Sequence, residues 1–322
     1  MNAIGGYFEL ELAHGKPYHK NCIEINTARN ALEYILLAKK YKKIYLPFYT
    51  CDVLLEPIKK LKVSFDFYKI KNSFLPNFDY NLIKKDEVFL YTNYFGVCDK
   101  QVKYISNICK NLIVDNAQAF YSKPLNRVDT FYSARKFFGI PDGAYLYTDK
   151  FIQDQDIIEQ DISINRFQHL LGRIEFGPEN YFEMYRLNEI SLKNQPIKKM
   201  SRLTHEILSS IEYKTIAKKR RENYEHIEKN LGKINRLKIK LSNNSVPMVY
   251  PLLTENKGEE IRDKLINSNI YVAKYWPNVT EWIKEENSFE LFLTKNLLAL
   301  PIDQRYSIKD IDKYLQIINL YV

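Results

Sequence analysis

Between residues 23 and 148, short apolar or aromatic runs alternate with stretches whose apolar residues fall at helical spacing, and this alternation restricts the fold more than any other feature. Residues 28–40 set Ala31, Leu32, Ile35 and Leu36 on one helical face. Asn26 or Thr27 stands where a short oxygen-bearing side chain can accept the free amides of the first turn. Ile44-Tyr45-Leu46 reads as a short strand stopped by Pro47, residues 52–61 as a helix, and residues 63–70 and 87–94 as strands. A helix over 102–110 and a buried strand over 111–114 follow, then strands over 130–133 and 143–148 on either side of the turn at 139–143. Strands separated by helices require crossover connections, so the pattern predicts an α/β fold with a mostly parallel central sheet and helices on both faces. Ligands of such sheets sit beyond the carboxyl ends of the strands. The loops after Leu46, Tyr91, Val114 and Phe131 are therefore expected around one site.

The second half has a different texture. Residues 151–195 give few strand signals and many aromatics. A long helical stretch over 200–231 is interrupted near Tyr213, short strands are expected over 238–253 and 270–275, and helices over 258–266 and 307–318. At 322 residues the chain is too long for a single core of ordinary size, which saturates at roughly 250–300 residues. The expected division is a large α/β domain over 1–195 and a smaller α+β domain over 196–322.

Composition removes several classes. With 45% hydrophobic residues the chain has material for a core, yet no apolar run nears the roughly 20 residues that span a bilayer, so no membrane partner is expected. Residues 1–12 carry Glu9 and Glu11 without a basic start and are not read as a secretory signal. Four scattered cysteines, with no CxxC, argue against a zinc ribbon or a disulfide framework and fit a cytoplasmic protein. The five histidines lack metal-ligand spacing, so no metal is expected. The net charge of +9 concentrates at 39–43 and 218–221, which read as solvated helix faces. No nucleic-acid-binding motif accompanies them.

Three segments can carry chemistry. The apolar run at 112–114 ends in Asp115-Asn116-Ala117-Gln118, where the acid is either a helix cap or the anchor of a cationic ring nitrogen. Lys136 follows a β-like run amid aromatics and is expected to be desolvated, which would lower its pKa and free a nucleophilic amine. The helix start at Thr27-Ala28-Arg29 offers free amides for a phosphate, and Arg29 adds a cation.

In this order (helix-start phosphate loop, aromatic loop after Pro47, Asp115-x-Ala117-Gln118, Lys136 and a glycine turn) the chain resembles the DegT/DnrJ/StrS-type aminotransferases. The similarity continues in Arg220-Arg221-Glu222-Asn223-Tyr224, in the segment 270–277, and in Leu298-Ala299-Leu300-Pro301 with the helix after it. The resemblance implies the type I fold of pyridoxal 5'-phosphate (PLP)-dependent transferases. It also implies amino transfer, from a donor such as glutamate, to a keto sugar that is commonly nucleotide-linked, in surface-polysaccharide or glycan biosynthesis. By matching motif, Lys136 would be the Schiff-base lysine and Asp115 the partner of the pyridinium nitrogen. Gln118 would lie by the phenolic oxygen, Ala117 near the ring, Thr27, Ala28 and Arg29 at the phosphate, and Asn93 and Tyr94 in the strand-end loop. The matching implies a homodimer, because the family's site is built across two subunits.

Several positions depart from the family pattern. Ala28-Arg29 stands for Gly-Thr in the phosphate loop, and Phe131 for a serine whose role Ser133 would take. Cys51 stands for the ring-stacking aromatic, with Tyr49 or Tyr94 as replacements. The resemblance leaves two alternatives, a non-transaminating dehydratase and a degenerate sugar-nucleotide-binding protein. Dehydrating relatives often carry histidine in place of the lysine, so Lys136 favours transamination.

Overall fold

The computed structural model describes residues 4–153 and 158–322. In the first half, β1 (Ile23–Ile25), α1 (Ala28–Lys39), β2 (Lys43–Pro47), α2 (Leu55–Lys60), β3 (Ser64–Ile70), β4 (Pro76–Asn77), β5 (Glu87–Thr92), α3 (Asp99–Ile108), β6 (Leu112–Asn116), β7 (Asp129–Ser133) and β8 (Ala144–Tyr147) follow in order. In the second come α4 (Gln168–Phe176), α5 (Phe182–Ser191), α6 (Arg202–Ser209), α7 (Tyr213–Leu231), β9 (Val249–Leu253), α8 (Gly258–Asn267), α9 (Val279–Trp282), α10 (Phe289–Asn296), β10 (Leu297–Pro301) and α11 (Ile308–Asn319).

Eight strands form one sheet in the order β1-β8-β7-β6-β5-β2-β3-β4. The ladders β3–β2, β2–β5, β5–β6 and β6–β7 are parallel. Strand β8 runs antiparallel to both β7 and β1, and β4 closes the far edge antiparallel to β3. Period-2 alternation divides the side chains between two cores. Val88 and Leu90 of β5, Ile113 of β6 and Phe131 of β7 pack with α1 and α2. Phe89, Tyr91, Val114 and Tyr132 face the opposite side. That second core runs without a break from the sheet through α7 to β9, β10 and α11.

Helix α1 starts where Thr27, in extended conformation, accepts the amide of Asn30; of the two candidate caps it is Thr27 that serves. Its last turn closes on Lys40 in the left-handed region. The interruption expected near Tyr213 separates α6 from α7.

Two expectations fail. Residues 270–275, rich in β-formers, make only a single bridge, Ala273 to Ala299, on the edge of β10 that β9 leaves open, and do not extend it into a strand. The strand signal over 238–253 yields only β9. Residues 151–195 supply two helices, α4 and α5, that sequence periodicity did not show. Their buried residues are His169, Gly172 and Asn188, whereas Leu171, Ile174, Phe176, Phe182, Leu187 and Ile190 are exposed.

Candidate active site

Thr92, Asp115 and Ser133 share the face of the sheet on which α1 packs. Thr92 pairs with Asp115 across β5 and β6, and Asp115 and Ser133 keep the parity of Ile113 and Phe131. All three lie at carboxyl ends of parallel strands, the position that the crossover topology reserves for ligands. Asp115 is 5% exposed. Its Oδ1 accepts the Ala117 amide at 2.8 Å. Burial pushes its pKa up to about 6; the Ala117 hydrogen bond, the Lys136 charge and the neighbouring Thr92 hydroxyl all act the other way.

Lys136 ends the 3₁₀ turn Ala134–Lys136 that follows β7. Its charge lowers the pKa of Asp115, of the Cys51 thiol and of the Tyr275 phenol, although burial raises all three. The amine, in the turn directly after β7, is therefore near enough to the carboxylate at the end of β6 to act on it electrostatically. The expected desolvation is not found: Lys136 is exposed, because Phe137 and Phe138 turn into the core and leave the amine outside.

The start of α1 is built differently from the expectation. Thr27 is buried and its hydroxyl bonds Asn30, whose own amide reaches the Gln195 carbonyl at 2.8 Å. Arg29 does not stand free for an anion, since its Nη1 lies 2.6 Å from Glu56 Oε2 of α2. What remains for a phosphate is the pair of amides of Ala28 and Arg29, which have no intrahelical acceptor in a first turn.

Three further candidates are engaged within the fold. Asn93 is fully buried, donates to Asp99 Oδ1 (2.8 Å) and Asn116 Oδ1 (3.0 Å), and accepts the Cys98 amide, so it braces the loop from within. Tyr94 is fully buried, stacks on Phe74 at 4.8 Å and spends its hydroxyl on the Tyr49 carbonyl. Tyr49 is fully buried edge-on to Trp276, so neither tyrosine presents a face for stacking. Of the aromatic-loop candidates, the half-buried Cys51 alone is close enough to feel Lys136. Gln118 Oε1 accepts the Phe95 amide at 2.7 Å, and Ala117 is half-buried beside it. Gly96 permits this packing: its φ is +70°, and a Cβ there would come within 2.9 Å of the Gln118 carbonyl oxygen.

Tyr275 is the site residue that sequence reasoning missed. The segment 270–277 carries the family resemblance, but only the fold brings this phenol within electrostatic reach of Lys136. Arg135 is another: it pairs with Glu189 of α5, and its Nε has no acceptor. Burial, and to a smaller extent repulsion from Arg29 and Arg166, lowers its pKa to about 10. Beyond it, Asp142 is fully buried and accepts the amide and hydroxyl of Ser201 at 2.9 and 2.8 Å and the Thr204 hydroxyl at 2.5 Å. The basic stretch 218–221 is only partly a solvated face: Lys218 is exposed, whereas Arg220 is buried and Arg221 donates to the Ser242 and Ser245 carbonyls.

Two open cavities of about 610 and 620 Å³ lie elsewhere, one beside α10 and one along β1 and β8. Among the described residues no three His, Cys, Asp or Glu side chains cluster as metal ligands, and no helix is long and apolar enough to cross a membrane.

No protein-family model matches the chain, and no curated protein does. Solved structures do. A DegT/DnrJ/EryC1/StrS aminotransferase from Brucella abortus is similar at 15% identity and a TM-score of 0.60, over 94% of this chain and 86% of that one. NtdA from Bacillus subtilis, with bound cofactor PMP, is similar at 15% identity and a TM-score of 0.65, over 94% and 73%. The sugar aminotransferase CalS13 from Micromonospora echinospora is similar at 11% identity and a TM-score of 0.60, over 94% and 87%. These likenesses show the fold: the chain, with its mostly parallel eight-stranded sheet and second small antiparallel sheet, has the type I fold of the DegT/DnrJ/EryC1/StrS aminotransferases.

Proposed function

We propose that the protein is a PLP-dependent aminotransferase that delivers an amino group to a keto sugar. The observation that carries this reading is the buried carboxylate of Asp115 at the end of β6, beside the strand whose following turn carries the exposed Lys136. A carboxylate this deeply buried has lost most of its hydration, and a cation set against it offsets that loss. A protonated ring nitrogen is such a cation, and the two free amides at the start of α1 suit a phosphate. The ring end of the cofactor thus fits the residues present, while the phosphate end would rest on main-chain donors, because the Arg29 side chain is committed to Glu56.

When bound, pyridoxal phosphate supplies an aldehyde that condenses with amines and a ring that withdraws electrons from the adjoining carbon. Asp115 would hold the ring nitrogen protonated. Lys136 Nζ would carry the cofactor at rest and then move a proton between the donor's α-carbon and the cofactor's former aldehyde carbon, acting as base and then acid. Cys51 and Tyr275 flank that amine and would limit the water that reaches it.

The finer parts of the reading rest on the resemblance: a nucleotide-linked sugar acceptor, glutamate as donor, a role in polysaccharide or glycan synthesis, and a cytoplasmic location, which the four free thiols suit. The chain would divide near residue 196 into the cofactor-binding unit and a smaller unit. The eight-stranded sheet is complete by Tyr147 and the second sheet draws only on β9 and β10. A homodimer is part of the same reading, supported by the exposed apolar side chains of α4 and α5 beside Arg135.

The test is spectroscopic. Purified protein mixed with PLP should gain a visible absorbance band, which Lys136→Ala abolishes. Glutamate should bleach the band and a keto sugar nucleotide should restore it. The absence of a band in the wild type, or its persistence in Lys136→Ala, overturns the proposal.

A further inference from the structure

Arg220 is 2% exposed, one of the largest side chains buried in the fold, and it bonds three separate parts of the chain. Nη1 donates to the Met248 carbonyl at 3.0 Å and to that of Pro247 at 3.4 Å, on the approach to β9. Nε donates to Gln304 Oε1 at 3.1 Å, in the loop before α11. Nη2 donates to the Phe137 carbonyl at 3.4 Å, and the guanidinium lies over the Phe137 ring, 4.6 Å from its centre. Gln304 Nε2 donates to the same Phe137 carbonyl at 2.9 Å. Both lone pairs of that oxygen are thereby engaged.

Among the described residues no carboxylate forms an ion pair with Arg220. The acid that acts on its charge, Asp303, is held by two bonds from Arg305, at 2.7 and 2.9 Å. A buried cation without a paired anion costs more than an apolar side chain of the same volume would. Filling space is therefore a poor account of it, and the acceptors it chooses are a better one. Phe137 is the residue directly after Lys136 and closes the 3₁₀ turn that carries it. The start of that turn has no side-chain cap, since Ser133 makes no capping bond. The turn is fastened at its far end instead, by a group that reaches across from α7. Lys136 is exposed, and the direction in which its side chain leaves the backbone is set by the turn that ends in the peptide between residues 136 and 137.

We propose that Arg220 is a positioning residue for Lys136: together with Gln304 it fixes the Phe137 carbonyl and ring, and through them the peptide that aims the Lys136 amine toward Asp115. The proposal rests on the reading of Lys136 as the reactive amine. It also makes the loops around residues 247 and 304 part of the support of that amine, so the C-terminal part of the chain contributes to the site without touching a ligand.

The test uses full-length protein free of cofactor. Trinitrobenzenesulfonate labelling, followed residue by residue by mass spectrometry across pH, reports the nucleophilicity of Lys136, with exposed Lys103 as internal control. Arg220→Lys keeps a buried cation but loses the fork, and Gln304→Leu removes the second donor while Arg220 stays; Arg220→Met is the severe variant. In the first two, the Lys136 rate should change roughly threefold or more, or its pH midpoint should move by about half a unit, with Lys103 unchanged. The pH midpoint of the PLP-dependent absorbance should move in the same direction. A lowered melting temperature with Lys136 labelling unmoved in both folded variants overturns the proposal and leaves Arg220 a structural residue. Labelling that responds in a protein that never gains the absorbance upholds the positioning claim and removes the cofactor reading.

Discussion

Arg29 and Glu56 form an ion pair of 2.6 Å across the start of α1, with side-chain exposures of 9% and 19%. The cation expected to meet a phosphate is neutralised by a residue of the next helix, which also accepts the Asn194 amide at 2.6 Å. Glu56→Gln keeps an acceptor for that amide and releases the guanidinium. The preference for PLP over unphosphorylated pyridoxal, read from absorbance titrations, should rise by roughly fivefold, about 1 kcal/mol. An unchanged preference would mean that Arg29 does not reach the phosphate even when free.

Asp115 is held at a cost to the fold. Its pKa is raised from 3.8 to about 6, so the folded state binds its proton more tightly than the unfolded state does. Stability from this group is present below pH 3.8 and is lost as pH rises through 6. Cofactor-free Asp115→Asn should therefore be more stable than the parent at pH 7.5 by about 1–3 kcal/mol while failing to hold the cofactor. Urea unfolding with and without PLP checks both halves. A destabilised variant would show that the carboxylate already has a sufficient partner.

His19 works in the opposite sense. It is 4% exposed, donates from Nε2 to the Phe120 carbonyl at 2.8 Å, and lies 4.1 Å from the Tyr132 ring. Burial lowers its pKa from 6.5 to about 4. The stability it contributes is complete above 6.5 and is lost as pH falls toward 4. Between pH 7 and pH 5 the loss should be about 2 kcal/mol, and His19→Gln should remove that part of the acid sensitivity. Melting temperatures of the two proteins at both pH values decide it; parallel slopes would refute it.

Asp142 carries the junction between the glycine turn and α6. Asp142→Ala would strand the Ser201 amide and hydroxyl and the Thr204 hydroxyl in a buried setting, at a cost of about 2–4 kcal/mol. Gly143 beside it is equally constrained, since its φ is +114° and a Cβ would come within 3.0 Å of Thr204 Cγ2. Chemical denaturation measures the first effect. A loss under about 1 kcal/mol would show that water replaces the carboxylate.

Strands β5, β6 and β7 were legible because each is a short run buried on both faces, β3 because its aromatics alternate with polar residues, and α1 because its apolar residues keep one side. Helices α4 and α5 were not, since residues such as Leu171, Ile174, Leu187 and Ile190 remain outside and draw no single stripe. Residues 270–275 have the composition of a strand, but only Ala273 comes into register with β10, and such pairing is a tertiary event that no local pattern records. The partners of Asp115 and Lys136 were sought along the chain, where motif order helps. The Glu56 that captures Arg29 and the α7 arginine that grips Phe137 are tertiary pairings between segments whose local sequence carries no trace of the contact. Exposure of Lys136 was misjudged for a related reason: aromatic neighbours on a turn can enter the core and leave the residue between them outside.

The core that joins Tyr132 and Phe137 to Leu300, Ile311 and Ile318 has no apolar gap at residue 196. The two units named from the sequence consequently share one melting event. Calorimetric and van't Hoff enthalpies should coincide, and a fragment cut at that boundary would present to water the surface its other half was meant to dry.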